Sequence, residues 1–257
     1  MKFDTQGWYL ERGRWGDLNG ILIAPRNANP KAFVTLCHGF GAAGTDLVPL
    51  AEEIVPELAD DLPSLAFYFP EGPIDLEEVY GMPGACAWWP LNMQMLAELA
   101  AADAFSSLED QIPEGIDAAR EKLIGSIASC IAAKNWNSIA HVVGGFSQGS
   151  MLAIDTAIRS DNFSVSGAIV WSGALICKSA WHAAAQAHAM AIPAYLSHGR
   201  QDPILPIGTG RALYRFLSSL RWDIDSMEFD GPHTIPFEGI AGAARLIERV
   251  LRSLNDH

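Results

Sequence analysis

Residues 145–149, Gly-Phe-Ser-Gln-Gly, leave this chain few folds to choose from. Ahead of them runs Ser138-Ile139-Ala140-His141-Val142-Val143-Gly144, apolar and β-branched, which reads as a strand. Behind them Ser150-Met151-Leu152-Ala153-Ile154-Asp155-Thr156-Ala157-Ile158 reads as a helix. A serine with glycines two residues away on either side, at a strand-to-helix junction, marks a sharp turn that lifts a hydroxyl above a sheet edge. Side chains at the glycine positions would collide with the turn. The backbone N–H of Gln148 points at the same spot as the hydroxyl.

The remaining chain supplies the sheet such a turn needs. Trp8–Arg14 and Leu18–Ala24 read as a hairpin about Gly16-Asp17. Strands are expected at Lys31–Cys37, Ser64–Phe69, Val165–Ser172, Ala194–His198 and Ile224–Phe229. Helices are expected from Asp46 to about Leu58 with Thr45 as N-cap, and from about Glu114 to Lys134. Further helices are expected at Lys178–Met190, Thr209–Leu220 and Pro236–Ser253. Repeated strand-helix alternation predicts an α/β fold with a mainly parallel sheet covered on both faces. Residues 71–114 break the rhythm with prolines at 73, 83, 90 and 113, the pair Trp88-Trp89, and a helix from Asn92 to about Leu108. That is long for a strand-to-helix connection, so it reads as a cap- or lid-like insertion in a single domain spanning 1–257.

Composition narrows the function classes. The 257 residues are 49% hydrophobic and carry a net charge of −13. No cluster of Lys and Arg offers a phosphate-binding surface, which argues against nucleic acid. No run approaches the ~18 apolar residues of a membrane span, and Met1–Trp8 lacks the apolar core of a signal peptide. The four cysteines, Cys37, Cys86, Cys130 and Cys177, are widely spaced and read as reduced core residues of a cytoplasmic protein.

A second glycine loop, Gly39-Phe40-Gly41-Ala42-Ala43-Gly44, matches G-x-G-x-x-G between a strand and a helix, with Glu71 after the next strand. A nicotinamide-dependent oxidoreductase would use such a loop for pyrophosphate. That reading leaves the second half of the chain without a purpose. A hydrolase also needs glycine here, so that the loop can bend close to a substrate and offer an N–H to an oxyanion. His38, beside this loop, has two readings, a catalytic base or a side chain that holds the loop's shape, and the second is favoured because a better-placed base exists downstream.

A serine hydroxyl needs a base within reach, and the base needs an acid to fix its tautomer. The acid candidate is Asp202 in His198-Gly199-Arg200-Gln201-Asp202-Pro203, just past a strand. Asp223, Asp225 and Asp230 are rivals within or at the end of the last strand. The base candidate is His233 in Gly231-Pro232-His233-Thr234-Ile235, between the last strand and the last helix. His141, His182, His188 and His257 are poorly placed for the role. The order Ser, Asp, His is that of the α/β-hydrolase fold.

Taken with Leu36-Cys37-His38-Gly39-Phe40-Gly41, these blocks resemble the phospholipase/carboxylesterase family, which includes the acyl-protein thioesterases. The resemblance spans roughly residues 31 to 240. It implies Ser147 as nucleophile, His233 as general base and Asp202 as orienting acid. It implies an oxyanion hole from the N–H groups of Phe40 and Gln148. The expected activity is cleavage of carboxylic esters of short to medium acyl chains, with a small-molecule ester or thioester as substrate and no metal or organic cofactor; acyl-protein thioesterase or lysophospholipase activity, with the same centre, is the alternative. A non-catalytic binding protein on the same fold is the competing class, and a homodimer is compatible with the family. Trp88, Trp89 and Met93, with Leu91, Met95 and Leu96, are expected to line an acyl pocket beneath the insertion.

Overall fold

The computed structural model describes residues 7–59, 64–102, 104–137, 139–188 and 191–254. Ten strands and eight α-helices are assigned among them. The strands are β1 (Trp8–Trp15), β2 (Leu18–Pro25), β3 (Ala32–Cys37), β4 (Leu65–Pro70), β5 (Ile74–Asp75), β6 (Cys86–Ala87), β7 (Ala140–Phe146), β8 (Gly167–Trp171), β9 (Pro193–Gly199) and β10 (Asp223–Phe229). The helices are α1 (Leu50–Ile54), α2 (Leu76–Tyr80), α3 (Met93–Ala101), α4 (Ile116–Ala133), α5 (Gln148–Arg159), α6 (Lys178–His188), α7 (Ile207–Ser219) and α8 (Phe237–Ser253).

Eight strands form one sheet in the order β1-β2-β4-β3-β7-β8-β9-β10. The β1–β2 and β2–β4 pairs are antiparallel, and every pair from β4 to β10 is parallel. This is the mainly parallel sheet expected from the alternation. Strands β3, β4 and β8 are buried along their whole length, as strands covered on both faces must be. Successive residues of β3 serve opposite layers. Phe33 and Cys37 pack with α4 and α5, whereas Val34 and Leu36 pack with α1 and α8. The edge strand β10 has no fully buried residue and carries Asp223, Asp225 and Glu228, charges that discourage edge-to-edge pairing.

Two expectations change. The helix from Asp46 is a run of turns, with α1 beginning only at Leu50 after Pro49, and a 3₁₀ turn at Val55–Glu57 ending it. Pro49, not Thr45, is the N-cap. Pro56 has no N–H to continue the α-helical ladder. The expected helix 92–108 is also divided, into α3 with its Asn92 cap and a 3₁₀ turn at Phe105–Leu108. Met190 and Ser138, at expected element ends, lie outside the described residues.

Candidate active site

Parallel strands β3, β7, β9 and β10 end on the same edge of the sheet, which is where open α/β sheets bind ligands. His38, Gly39 and Phe40 follow β3, Ser147 follows β7, Asp202 lies past β9 and His233 past β10. Residues far apart in the chain therefore meet above one edge.

Ser147 has φ 53° and ψ −118°, a backbone conformation that costs a non-glycine residue of order 1–3 kcal/mol. Its surroundings hold it there. The Ser147 N–H donates to the Trp171 carbonyl at 2.9 Å, and the Ser147 carbonyl accepts from the N–H groups of Ser150 and Met151 at 3.0 and 3.2 Å. The Ser150 hydroxyl donates to the same carbonyl at 2.7 Å. A Cβ at Gly145 or Gly149 would overlap the Cys37 carbonyl oxygen. Both glycines are therefore required by the close passage of the turn over the end of β3.

His233 Nδ1–H donates to Asp202 Oδ2 at 2.6 Å. A carboxylate only accepts, so this bond leaves the Nε2 lone pair of His233 available. The other oxygen of Asp202, Oδ1, accepts from the N–H groups of Ile204 and Leu205 at 2.9 and 2.8 Å. Burial pushes the Asp202 carboxyl up, but the bonds from His233, Leu205 and Ile204 outweigh it, and the net shift is below the usual carboxylate range. The His233 ring packs against Phe146, the residue before the serine, with ring centroids 4.6 Å apart. The rival aspartates are elsewhere: Asp223 pairs with Arg249, Asp225 with Arg245 and Asp230 with Arg200, all on the surface.

The glycine loop wraps the serine instead of opening a helix. A Cβ at Gly39 would lie 3.2 Å from the Phe146 ring and 3.5 Å from Ser147 Cβ. Gly41 N–H donates to the Cys86 carbonyl, and Cys86 N–H to the Ala42 carbonyl, at 3.0 and 2.9 Å. Glu71 packs against Gly44 and accepts from Asn19 and Cys86. His38 holds the loop: its Nε2 accepts from Gly72 N–H at 2.9 Å, so Nδ1 carries the proton and donates to the Gly39 carbonyl at 2.8 Å. Burial keeps this imidazole below its ordinary pKa, hence neutral, in keeping with both bonds. Among the described residues, the N–H groups of Phe40 and Gln148 have no protein acceptor.

A cavity of about 690 Å³ opens above these groups. Ser147, His233, Phe40 and Gln148 lie in its wall, together with Trp89, Leu91, Met93, Met95 and Leu96 from the insertion. Trp88 is not part of the wall. It is buried behind the site, where its Nε1–H donates to the His38 carbonyl at 2.9 Å and its ring lies 5.3 Å from the His38 ring. The adjacent pair thus splits: the chain bends at Trp88 and Trp89, just past β6 (Cys86–Ala87), with Trp88 turned to His38 and Trp89 to the cavity.

Three features lay beyond the reach of the sequence. The Gln148 side chain is fully buried; its Oε1 accepts from Trp88 N–H at 3.0 Å and its Nε2 donates to the Trp89 carbonyl at 2.8 Å. His198, buried beneath the acid, donates from Nε2 to the Leu205 carbonyl at 2.7 Å and lies 3.4 Å from Asp202 Oδ2. Leu175, Ile176, Ile204 and Leu205 complete the apolar wall from loops after β8 and β9. The run Ala174-Leu175-Ile176, apolar yet outside any periodic element, was the one signal available for them. Among the described residues, no group of three or more His, Cys, Asp and Glu side chains could hold a metal ion, and no helix is long and apolar enough to cross a membrane.

A model of the phospholipase/carboxylesterase family matches residues 18–251. Acyl-protein thioesterase 1 of Eremothecium gossypii is 27% identical over 207 residues, which is 77% of this chain and 78% of that protein. Acyl-protein thioesterase 1 of Saccharomyces cerevisiae is 22% identical over 82% of this chain and 88% of that protein. Among solved structures, esterase PE8 superposes with a TM-score of 0.72 and 25% identity over 91% of this chain and 99% of that one. The acyl-protein thioesterase 2 of Zea mays gives 0.58 and 21% identity over 90% and 97%.

Proposed function

This chain belongs to the phospholipase/carboxylesterase family and is a hydrolase of that kind, and we propose that it cleaves carboxylic esters of short to medium acyl chains through Ser147, His233 and Asp202. The observation that carries this reading is the 2.6 Å bond from His233 Nδ1–H to Asp202 Oδ2, with His233 and the strained Ser147 in the wall of one cavity.

The chemistry follows from the groups. Ser147 Oγ forms a bond to the carbonyl carbon as its proton passes to His233 Nε2. The carbonyl π pair moves onto oxygen, and the N–H groups of Phe40 and Gln148 receive that charge; one such donor is worth about 3 kcal/mol of barrier. Collapse of the adduct breaks the bond to the leaving alcohol, which takes the proton from His233. Water then attacks the acyl-serine by the same route, releasing the carboxylic acid and restoring the Ser147 hydroxyl. Asp202 keeps the proton of the resting ring on Nδ1 and stabilises the imidazolium. Trp89, Met93 and the apolar wall around them accept the acyl chain, with the methionines adapting to its shape.

A thioester substrate is the second reading. It is favoured by the two relatives that carry the name acyl-protein thioesterase 1. The same steps apply with a thiol as leaving group. Because all four cysteines are free and buried, we assign the protein to a reducing compartment, the cytoplasm.

Intact-mass spectrometry after a fluorophosphonate probe tests the centre. One adduct on wild type, lost in Ser147→Ala, is the expected result. A folded wild type that takes no adduct would overturn the assignment in favour of a binding protein. Rates on p-nitrophenyl esters from acetate to dodecanoate, beside an S-acyl peptide, then separate the two substrate readings.

A further inference from the structure

The two proposed oxyanion donors come from different elements. Phe40 N–H belongs to the loop after β3, and Gln148 N–H to the first turn of α5. Their spacing must be held within a fraction of an ångström to serve one oxygen atom. We propose that Trp88 is the positioning residue that sets this spacing, as a cross-brace bonded to both segments. This rests on the hydrolase reading above.

Four observations converge on Trp88. Its indole N–H donates to the carbonyl of His38, in the loop that carries Phe40. Its backbone N–H donates to the side chain of Gln148 itself, whose amide also holds the Trp89 carbonyl. Its ring covers the imidazole of His38, which is bonded to Gly39 on one side and to Gly72 on the other. It is fully buried and takes no part in the cavity wall, so it cannot act by touching substrate. The root of the insertion strengthens the same frame, through the Gly72 bond and the paired bonds between Cys86 and residues 41 and 42. The insertion is thus two things. Its root, around 72 and 86–88, is scaffold for the oxyanion site, and its outer part, from Trp89 to Leu108, is substrate wall.

An oxyanion brace acts on the transition state and leaves ground-state binding alone. Trp88→Phe keeps an aromatic ring but removes the indole N–H together with the pyrrole half of the ring system, so a thermal melt must first establish folding. On p-nitrophenyl butyrate its kcat should fall roughly tenfold to a hundredfold, with KM within about threefold of wild type. A trifluoromethyl ketone forms a hemiketal whose oxyanion needs both donors. Its Ki should rise by the same factor by which kcat/KM falls. Gln148→Met removes the side-chain amide but keeps the backbone donor, and should give the same signature. It decides the matter if Trp88→Phe does not fold. A folded variant with wild-type kcat and Ki, or one whose KM alone rises, overturns the brace. A wild type with neither turnover nor fluorophosphonate adduct overturns the hydrolase reading instead, and the brace with it.

Discussion

Asp202→Asn exchanges one carboxylate oxygen for an NH₂ group, and the surrounding donors dictate where that group goes. Oδ1 is held by two backbone N–H groups, from Ile204 and Leu205, and Oδ2 faces His233 Nδ1 at 2.6 Å. If the amide oxygen faced His233, the NH₂ would confront both backbone donors. Leaving those two buried groups without acceptors costs about 1–3 kcal/mol each, or about 2–6 kcal/mol together. The amide therefore turns its oxygen to the backbone and its NH₂ to His233. Nδ1 must then accept, the ring proton moves to Nε2, and the nitrogen facing the cavity can no longer take the Ser147 proton. At about 1.4 kcal/mol per factor of ten, the productive orientation is disfavoured by about 30-fold to 10⁴-fold, and kcat should fall by that factor. Loss of the charge that stabilises the imidazolium places the result towards the upper end. Asp202 takes no part in the cavity wall, so KM should stay within about threefold. The assay is saturation kinetics on p-nitrophenyl butyrate, with a thermal melt to establish folding. A folded Asp202→Asn enzyme that keeps more than about a tenth of wild-type kcat would refute this reasoning.

Three more outcomes are expected elsewhere. The fully buried Asp155 accepts from Arg120 at 2.6 Å, Trp181 at 2.7 Å and Arg159 at 3.1 Å; Asp155→Ala strands buried donors and should cost about 3–5 kcal/mol. That lowers Tm by roughly 6–20 °C in calorimetry, and a shift under about 2 °C would contradict it. Burial lowers the His141 imidazole to about 4, so below about pH 6.5 the unfolded chain binds a proton that the folded one refuses. Native stability should therefore fall by about 1.4 kcal/mol per pH unit from that point down to the folded value. His141→Phe removes this slope, so the urea-midpoint difference between variant and wild type should change steadily between pH 7 and pH 4, and parallel profiles would count against it. Met151, in the cavity wall one turn after Ser147, is a site for shortening the pocket. Met151→Trp should cut the rate on p-nitrophenyl octanoate by about tenfold relative to acetate; equal losses on both would mean that the acyl chain lies elsewhere.

Local rules carried the sequence reading a long way. The elbow was legible because its glycines are steric necessities, and the structure supplies the reason in the Cys37 carbonyl that a Cβ would strike. The alternating strands and helices were legible because each pattern has its own period. Failures came where a local rule met a second one. Thr45 followed by Asp46 looks like a helix start, yet Pro49 and Pro56 confine α1 to Leu50–Ile54. In the insertion, an unbroken helical stretch to Leu108 was expected, and the chain divides it after Ala101. Trp88 and Trp89 have the same composition signal and different environments, because they lie in a bend past β6 where one ring is held by the His38 carbonyl and the other lines the cavity, a tertiary choice no local pattern records.

By itself the sequence determined the kinds of group and their order along the chain: a serine in a glycine turn, an aspartate and a histidine after later strands, and a glycine loop after an early one. Backbone sterics and hydrophobic periodicity act over a few residues, so they can be read from a linear string. What only the tertiary structure decided is which side chains meet. His233 bonds Asp202, His198 lies beneath that aspartate, and Gln148 joins Trp88 and Trp89 across sixty residues of chain. Those contacts depend on how parallel strands of one sheet bring their ends to a common edge. That is a property of packing, in which burial makes every unpaired donor and acceptor costly and so selects the partners that no local pattern records.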